Sequence, residues 1–332
     1  MLLGVVLRVR RSLAVALLLA LGGCQQIPVS SDDGSYDDEW DRTDIPWGDP
    51  NPEGGDPPPE GETGDEDGPP PKLDMPDEMP ATQCKVVDLL FVIDNSNSIA
   101  AEQANLIASF DGFIAGIQTY LDEANDYHVG VVTTDAYALN EEPCRELGAL
   151  VTSSAAGSCG PWVAGRYISL ADDLAAAFTC AADVGGDGNT DEHQIEAALR
   201  AVSPELGAPG ACNEGFLRDD ALLVLVLITD EDDGALFGQG SPGSPGDWFA
   251  ELVSRKGVES NVVVLALAGV PPPNACNADL PFEGAQIAYR IRQFVEMFSY
   301  GEVGDVCVDD YSSFFDASLE VIHDACINFT EG

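Results

Sequence analysis

The sequence predicts an α/β domain built on a doubly wound, mostly parallel sheet with helices on both faces. Three observations lead there. Four short runs, Val86–Asp94, Tyr127–Thr134, Ala221–Thr229 and Asn261–Ala268, are apolar nearly throughout and rich in β-branched residues. Strands buried on both faces read this way, whereas strands with one wet face alternate. Stretches with apolar residues at helical spacing separate these runs, and strand alternating with helix is the pattern of a parallel sheet with crossover connections. The 249 residues from 84 to 332 carry nearly all the strong apolar segments, so one large domain accounts for them.

The elements follow in chain order. Residues 1–24 read as an export signal of the lipoprotein kind. Arg8, Arg10 and Arg11 precede a short apolar run, Leu13 to Leu21, which closes on Leu21-Gly22-Gly23-Cys24. The run is too short to span a bilayer of about 30 Å. Leu-Gly-Gly-Cys resembles the bacterial lipobox, which implies lipidation of Cys24; Gln25, rather than Asp, then implies the outer membrane. Residues 25–83 hold 12 Pro and 18 acidic residues against Arg42 and Lys72, a net charge of −16. Without apolar periodicity they are expected to form a disordered acidic tether. Pro and like-charge repulsion extend such a chain, to a reach on the order of 150 Å.

Within the domain, Val86–Asp94 opens the sheet and Ser98–Glu123 follows as a helix, with Ile99, Leu106, Phe110, Phe113, Ile114, Ile117 and Leu121 on one face. Tyr127–Thr134 is the second strand. The stretch 135–170, with two Cys, several Gly and weak strand candidates at Leu147–Thr152 and Tyr167–Leu170, reads as a disulfide-stapled insertion. Ala171–Ala182 and Asp191–Val202 read as helices, Ala221–Thr229 as the strongest strand, Trp248–Lys256 as a short helix and Asn261–Ala268 as a strand. Ala285–Phe298 and Ser312–Phe329 complete the set as helices.

Apart from Cys24 there are eight Cys, an even number in an exported chain, which points to disulfides. None stands at C-x-x-C spacing, which disfavours a zinc knuckle. Cys84 opens the domain and Cys326 nearly closes it; domain termini often lie close, so a Cys84–Cys326 bond is expected.

In a doubly wound sheet, ligands bind beyond the carboxyl ends of the strands. There the sequence places Asp94-Asn95-Ser96-Asn97-Ser98, at a strand end and at the start of a long helix, and Asp230 after the strongest strand. Alternating side chains at 94, 96 and 98 converge in a tight turn. One carboxylate and two hydroxyls are hard oxygen donors, suited to Mg²⁺ and also to Ca²⁺ or Mn²⁺. The structural alternative for Asp94, Ser96 and Ser98 is helix capping. For Asp230 it is a solvated acidic turn, and the further carboxylates at 231–233 could also hold a second cation.

This order of elements with D-x-S-x-S resembles the von Willebrand factor A domain and its metal-ion-dependent adhesion site (MIDAS), over about residues 84–329. The resemblance implies a Rossmann-like fold. It implies that Ser96 and Ser98 bind the ion directly, that Asp94 and Asp230 act through water, and that a Thr from a second loop completes the shell. Thr190, in Gly185-Gly186-Asp187-Gly188-Asn189-Thr190, is the choice for that slot; Asn189 is the alternative, with Thr133 and Thr134 less favoured. The position left open is expected to take a carboxylate of a protein partner.

Catalytic signatures such as G-x-S-x-G, H-E-x-x-H and the Walker lysine loop do not occur. Residues 187–191 begin like a calcium loop, but Glu192 and Ala198 stand where that loop needs Gly and Glu. With 14 basic against 58 acidic residues, the net charge is −44, of which the domain carries −31; this argues against nucleic-acid binding. The same charge attracts divalent ions, and a bare anionic surface repels an acidic partner unless a cation intervenes. The expectation is therefore a lipid-anchored, non-enzymatic binding module. The alternatives are a scaffold domain whose metal only stabilises loops, and a two-metal hydrolase using the loops 187–192 and 230–233.

Overall fold

The computed structural model describes residues 85–120, 126–234, 239–276 and 284–330. The signal and tether, with Cys24 and Cys84, lie outside the described residues.

Among the described residues, eight strands and seven α-helices follow in order. β1 (Val86–Ile93) leads into α1 (Ala100–Tyr120), then β2 (Asp126–Thr133). The insertion contributes β3 (Ser153–Ser154), β4 (Gly157–Ser158) and β5 (Ile168–Ser169). Next come α2 (Leu174–Ala182), α3 (Gln194–Ala201), α4 (Pro204–Gly207), β6 (Leu222–Ile228), α5 (Pro245–Lys256) and β7 (Val262–Ala268). The last elements are α6 (Tyr289–Val295), β8 (Gly301–Asp305) and α7 (Ser312–Ile327). The main sheet has six strands in the order β5-β2-β1-β6-β7-β8, with only β5 antiparallel; β3 and β4 form a separate ribbon. This is the Rossmann-like, mostly parallel α/β architecture expected from the sequence.

Side chains of a strand alternate between faces, and β1 divides the core accordingly. Val87, Leu89, Phe91 and Ile93 pack on one face with Leu106, Phe110, Phe113 and Ile117 of α1, Phe178 of α2, and Phe315, Leu319 and Ile322 of α7. Leu90 and Val92 pack on the other with Ile195 and Leu199 of α3, Trp248 and Leu252 of α5, and Ile291 and Phe294 of α6. Phe91 sits edge-on to Phe110, Phe113 and Phe178.

Two expectations for elements differ from the structure. β8 was not expected: Gly-Glu-Val-Gly-Asp has no apolar run, and as the sheet's last strand it is only partly buried. The helix expected over 285–298 spans only Tyr289–Val295. At the opposite end of the sheet, the insertion does supply an edge strand, at Ile168–Ser169 rather than Leu147–Thr152.

The insertion is stapled as expected. Cys144 pairs with Cys212 and Cys159 with Cys180, while Cys276 pairs with Cys307. Cys326 is also disulfide-bonded, and its expected partner, Cys84, is outside the described residues.

The register positions the site. Ile93 of β1 is level with Thr133 of β2 and Ile228 of β6, so Asp94, Thr134 and Thr229 leave the sheet side by side at its carboxyl edge. At the opposite edge, the buried Asp88 accepts hydrogen bonds from the Arg218 backbone N–H (2.7 Å) and Nε (2.8 Å), and Arg218 also reaches Asp126.

Candidate metal centre

Asp94 is fully buried at the first loop. Its Oδ1 accepts the Ser96 backbone N–H at 2.7 Å and its Oδ2 accepts the Thr229 hydroxyl at 2.7 Å. Gln103 of α1 donates from Nε2 to the Asp94 carbonyl and also to that of Gly185, tying the first loop to the third-loop region 185–190. The Ser96 and Ser98 hydroxyls lie 3.2 Å apart, Ser96 buried and Ser98 exposed. Ser98 is also close enough to the Asp230 carboxylate to oppose the upward push of burial on it. Four of the five residues expected at the site thus neighbour one another: Asp94 and Ser96, Ser96 and Ser98, and Ser98 and Asp230.

Thr190 is placed differently. It is exposed and lines a neighbouring cavity of about 150 Å³, together with Asp191, Glu192, Glu231 and Asp232. Among the described interactions, none joins its hydroxyl to Asp94, Ser96 or Ser98. The side chain that turns inward from this loop is Glu192, two residues on, with 4 % exposure. Its carboxylate accepts from Thr134 Oγ1, which also contacts Asn95. Gln194 donates to Thr229 Oγ1, so the start of α3 is bound to the hydroxyl that holds Asp94. Asp135 joins all three loops: its Oδ1 accepts from Asn95 Nδ2 and its Oδ2 from the Asn189 N–H. Gly188 allows the close approach. Its N–H donates to the Asn95 carbonyl at 2.8 Å, and a Cβ at 188 would stand 2.5 Å from the Asn95 amide.

The acidic run at 230–233 divides its labour. Asp232 accepts from the Arg290 and Ile291 N–H groups and caps α6. Asp233 accepts from the Ile195 N–H and from Ser241, capping α3 from a distant loop. Both carboxylates therefore satisfy helix termini rather than standing ready for the second cation envisaged for 231–233. The Asp232 bonds also explain why α6 starts late, at Tyr289.

Electrostatically the edge concentrates buried and half-buried carboxylates. Burial pushes Asp94 up to about 6, with repulsion from Asp230 adding to it against the hydrogen bonds from Ser96 and Thr229. Burial, then the charge of Asp94, pushes Glu192 up to about 9, and the same causes raise Glu231 to about 7. Asp230 is raised by burial, opposed by Ser98, and Glu102 by burial and by Asp230. Three buried carboxylate oxygens of groups that feel one another's charge here, Glu102 Oε2, Glu192 Oε1 and Asp230 Oδ1, have no hydrogen-bond partner among the described residues. Buried polar atoms are rarely left so. An all-oxygen donor set with orphaned carboxylate oxygens is the chemistry that a hard divalent cation satisfies, so the residues present fit such an ion. A separate cluster, Cys276, Asp305 and Cys307, does not: its two sulfurs are bonded to each other, and thiolates are what a metal needs.

No protein-family profile and no curated protein sequence matches the chain. Among solved structures, similarity is found to proximal thread matrix protein 1 from the mussel byssus, at a TM-score of 0.38 and 14% identity over 74% of this chain and 49% of that one. A structure of the same matrix protein with a zinc-occupied MIDAS motif gives 0.35 and 16%, over 74% and 47%. The pilus adhesin SpaC of Lactobacillus rhamnosus GG, in its open conformation, gives 0.36 and 16%, over 74% and 30%. The chain thus spans less than half the length of each.

Proposed function

We propose that the domain is a cation-dependent, non-enzymatic binding module of the von Willebrand factor A type. Asp94, Ser96, Ser98 and Asp230 hold a divalent cation, Mg²⁺ or alternatively Ca²⁺ or Mn²⁺, at the carboxyl edge of the sheet. The observation that carries this reading is the neighbouring set Asp94, Ser96, Ser98 and Asp230, with a buried Asp230 oxygen that no described residue satisfies. The ion supplies positive charge and an exchangeable position; the protein holds the donors in place. Ser98 is exposed, so a group from outside can approach. A carboxylate of a protein partner is the matching group, because it meets the ion with opposite charge where the surrounding carboxylates would repel it. Cys24 anchors the chain to the outer membrane and residues 25–83 space the domain from it.

The test is a pull-down from the producing cell's envelope with the full chain as bait, with and without EDTA. A partner retained with Mg²⁺ and released by EDTA supports the module; a partner retained equally in both contradicts it. Independently, Asp94→Ala is expected to abolish the rise in melting temperature that Mg²⁺ or Mn²⁺ produces. Calorimetric titrations that give the same ion binding for wild type and variant would overturn the site.

A further inference from the structure

A second cavity, of about 330 Å³, lies at the amino edge of the sheet, the end opposite the candidate metal centre. Three pieces of chain meet there: the end of α3 with α4, the segment 213–219 that leads into β6, and the end of α5. None of Asp94, Ser96, Ser98 and Asp230 lines it.

Its walls are held in place from within the fold. Asn213 is buried with its amide fully used: Oδ1 accepts the Leu150 N–H, and Nδ2 donates to the carbonyls of Gly148 and Ala201. Five residues on, Arg218 is clasped by the buried Asp88. Lys256, the last residue of α5, donates to the carbonyls of Arg218 and Asp219. The segment 213–219 is thus pinned to the end of α3, to β1 and to the end of α5.

The lining is mixed. Ala201 and Val202 are buried and Leu217 half-buried, which gives an apolar inner surface. Two charged side chains share it, Asp219 and Arg255. Lys256 takes the Asp219 backbone carbonyl, and no hydrogen bond from another described residue reaches the Asp219 carboxylate. A guanidinium has five N–H groups. Arg255 gives one, on Nη2, to Glu251 at 2.8 Å, and its Nε has no partner among the described residues. One open carboxylate, one guanidinium with N–H groups to spare and an apolar surface therefore line the same space.

The geometry points to a binding site for a free α-amino acid with an apolar side chain. The ammonium meets Asp219, the carboxylate meets Arg255, and the side chain lies on Ala201, Val202 and Leu217. A zwitterion matches a lining with one charge of each sign; a simple anion would face Asp219 and a simple cation Arg255. Charges taken out of water need partners, and here each has one. The volume stands at the low end of small-molecule sites, about 300–1,000 Å³, which suits a single amino acid.

The experiment is an NMR titration of the ¹⁵N-labelled full chain in detergent with L-leucine, run in EDTA so that the outcome does not depend on the cation site. The amides of Asn213, Gly215 and Ser254 are expected to shift and to saturate with a dissociation constant of about 1 mM or tighter. Three fragments dissect the contacts: 3-methylbutylamine lacks the carboxylate, 4-methylpentanoate lacks the ammonium and glycine lacks the apolar side chain. Each is expected to bind at least about tenfold more weakly than leucine. Asp219→Asn and Arg255→Gln are each expected to weaken leucine at least about tenfold. If Arg255→Gln does not fold, Arg255→Lys replaces it, keeping the charge and losing the fork, with the same direction expected. Gly207 lines the cavity, and a Cβ there would meet nothing within 4 Å. Gly207→Leu is therefore expected to keep the melting temperature while filling the cavity and abolishing the leucine shifts. No shift with leucine, a fragment that binds as tightly as leucine, or leucine binding that survives Gly207→Leu overturns the assignment.

Discussion

At the scale of single residues, the carboxyl edge of the sheet gathers carboxylates whose ionisation burial disfavours. In the unfolded chain Asp and Glu titrate near 4, whereas in the fold Asp94 stands at about 6, Glu231 at about 7 and Glu192 at about 9. Between these limits the folded state binds more protons than the unfolded one, so stability falls as pH rises through the window. In EDTA, the melting temperature of wild type is expected to drop relative to Glu192→Gln as pH goes from about 5 to about 9, the interval set by these shifts. A gap that is flat or opens the other way contradicts the buried-carboxylate account. Asp94, Ser96, Ser98 and Asp230 were legible in the sequence because three of them form a motif at a strand end and the fourth follows the most apolar strand. The burial of Glu192 was not foreseen, because the search in that loop was for a hydroxyl. The residue stands outside α3, before the non-helical cap residue His193, so no helical spacing marks it. Its inward direction depends on where α3 begins, which Asp233 and Thr134 decide from distant loops.

At the scale of elements, helix termini are set by side chains far away in sequence. Asp233→Ala removes the acceptor for the Ile195 N–H and for Ser241. A lost cap with a buried donor left open is expected to cost about 1–3 kcal/mol in urea unfolding. It should also weaken Mn²⁺ binding, because the start of α3 carries Gln194, which holds Thr229; a stability loss with ion affinity intact would separate α3 from the site. Strands gave the opposite lesson. β1, β6 and β7 were readable because each is buried on both faces and so almost wholly apolar, and β2 because its second half is a Val-rich buried run. Phe91 at the centre of β1 meets three aromatic rings, and Phe91→Ala is expected to cost about 3–5 kcal/mol by the same measurement. β8 was not readable, because an edge strand of Gly and acidic residues owes its existence to pairing with β7 rather than to its own composition.

At the scale of the whole molecule, one disulfide packs apart from the two main core clusters. The Cys144–Cys212 bond joins positions 68 residues apart and sits in its own small cluster with Ala149 and Leu206. Chain-entropy arguments give such a cross-link about 4 kcal/mol. The double variant Cys144→Ser with Cys212→Ser is expected to lose stability on that order in denaturant titration while keeping its Mn²⁺ affinity. A parallel loss of affinity would mean that the insertion shapes the site. The sheet itself has a mechanical consequence. The chain enters β1 at Val86, at the edge opposite Asp94, and β1 is paired with β2 over eight residues and with β6 over seven. A pull between the entry point and a partner held at the site runs along β1 and loads both ladders in shear. Their hydrogen bonds lie across the pull and must yield together rather than one after another, so the strand that presents Asp94 is also the one best placed to bear tension.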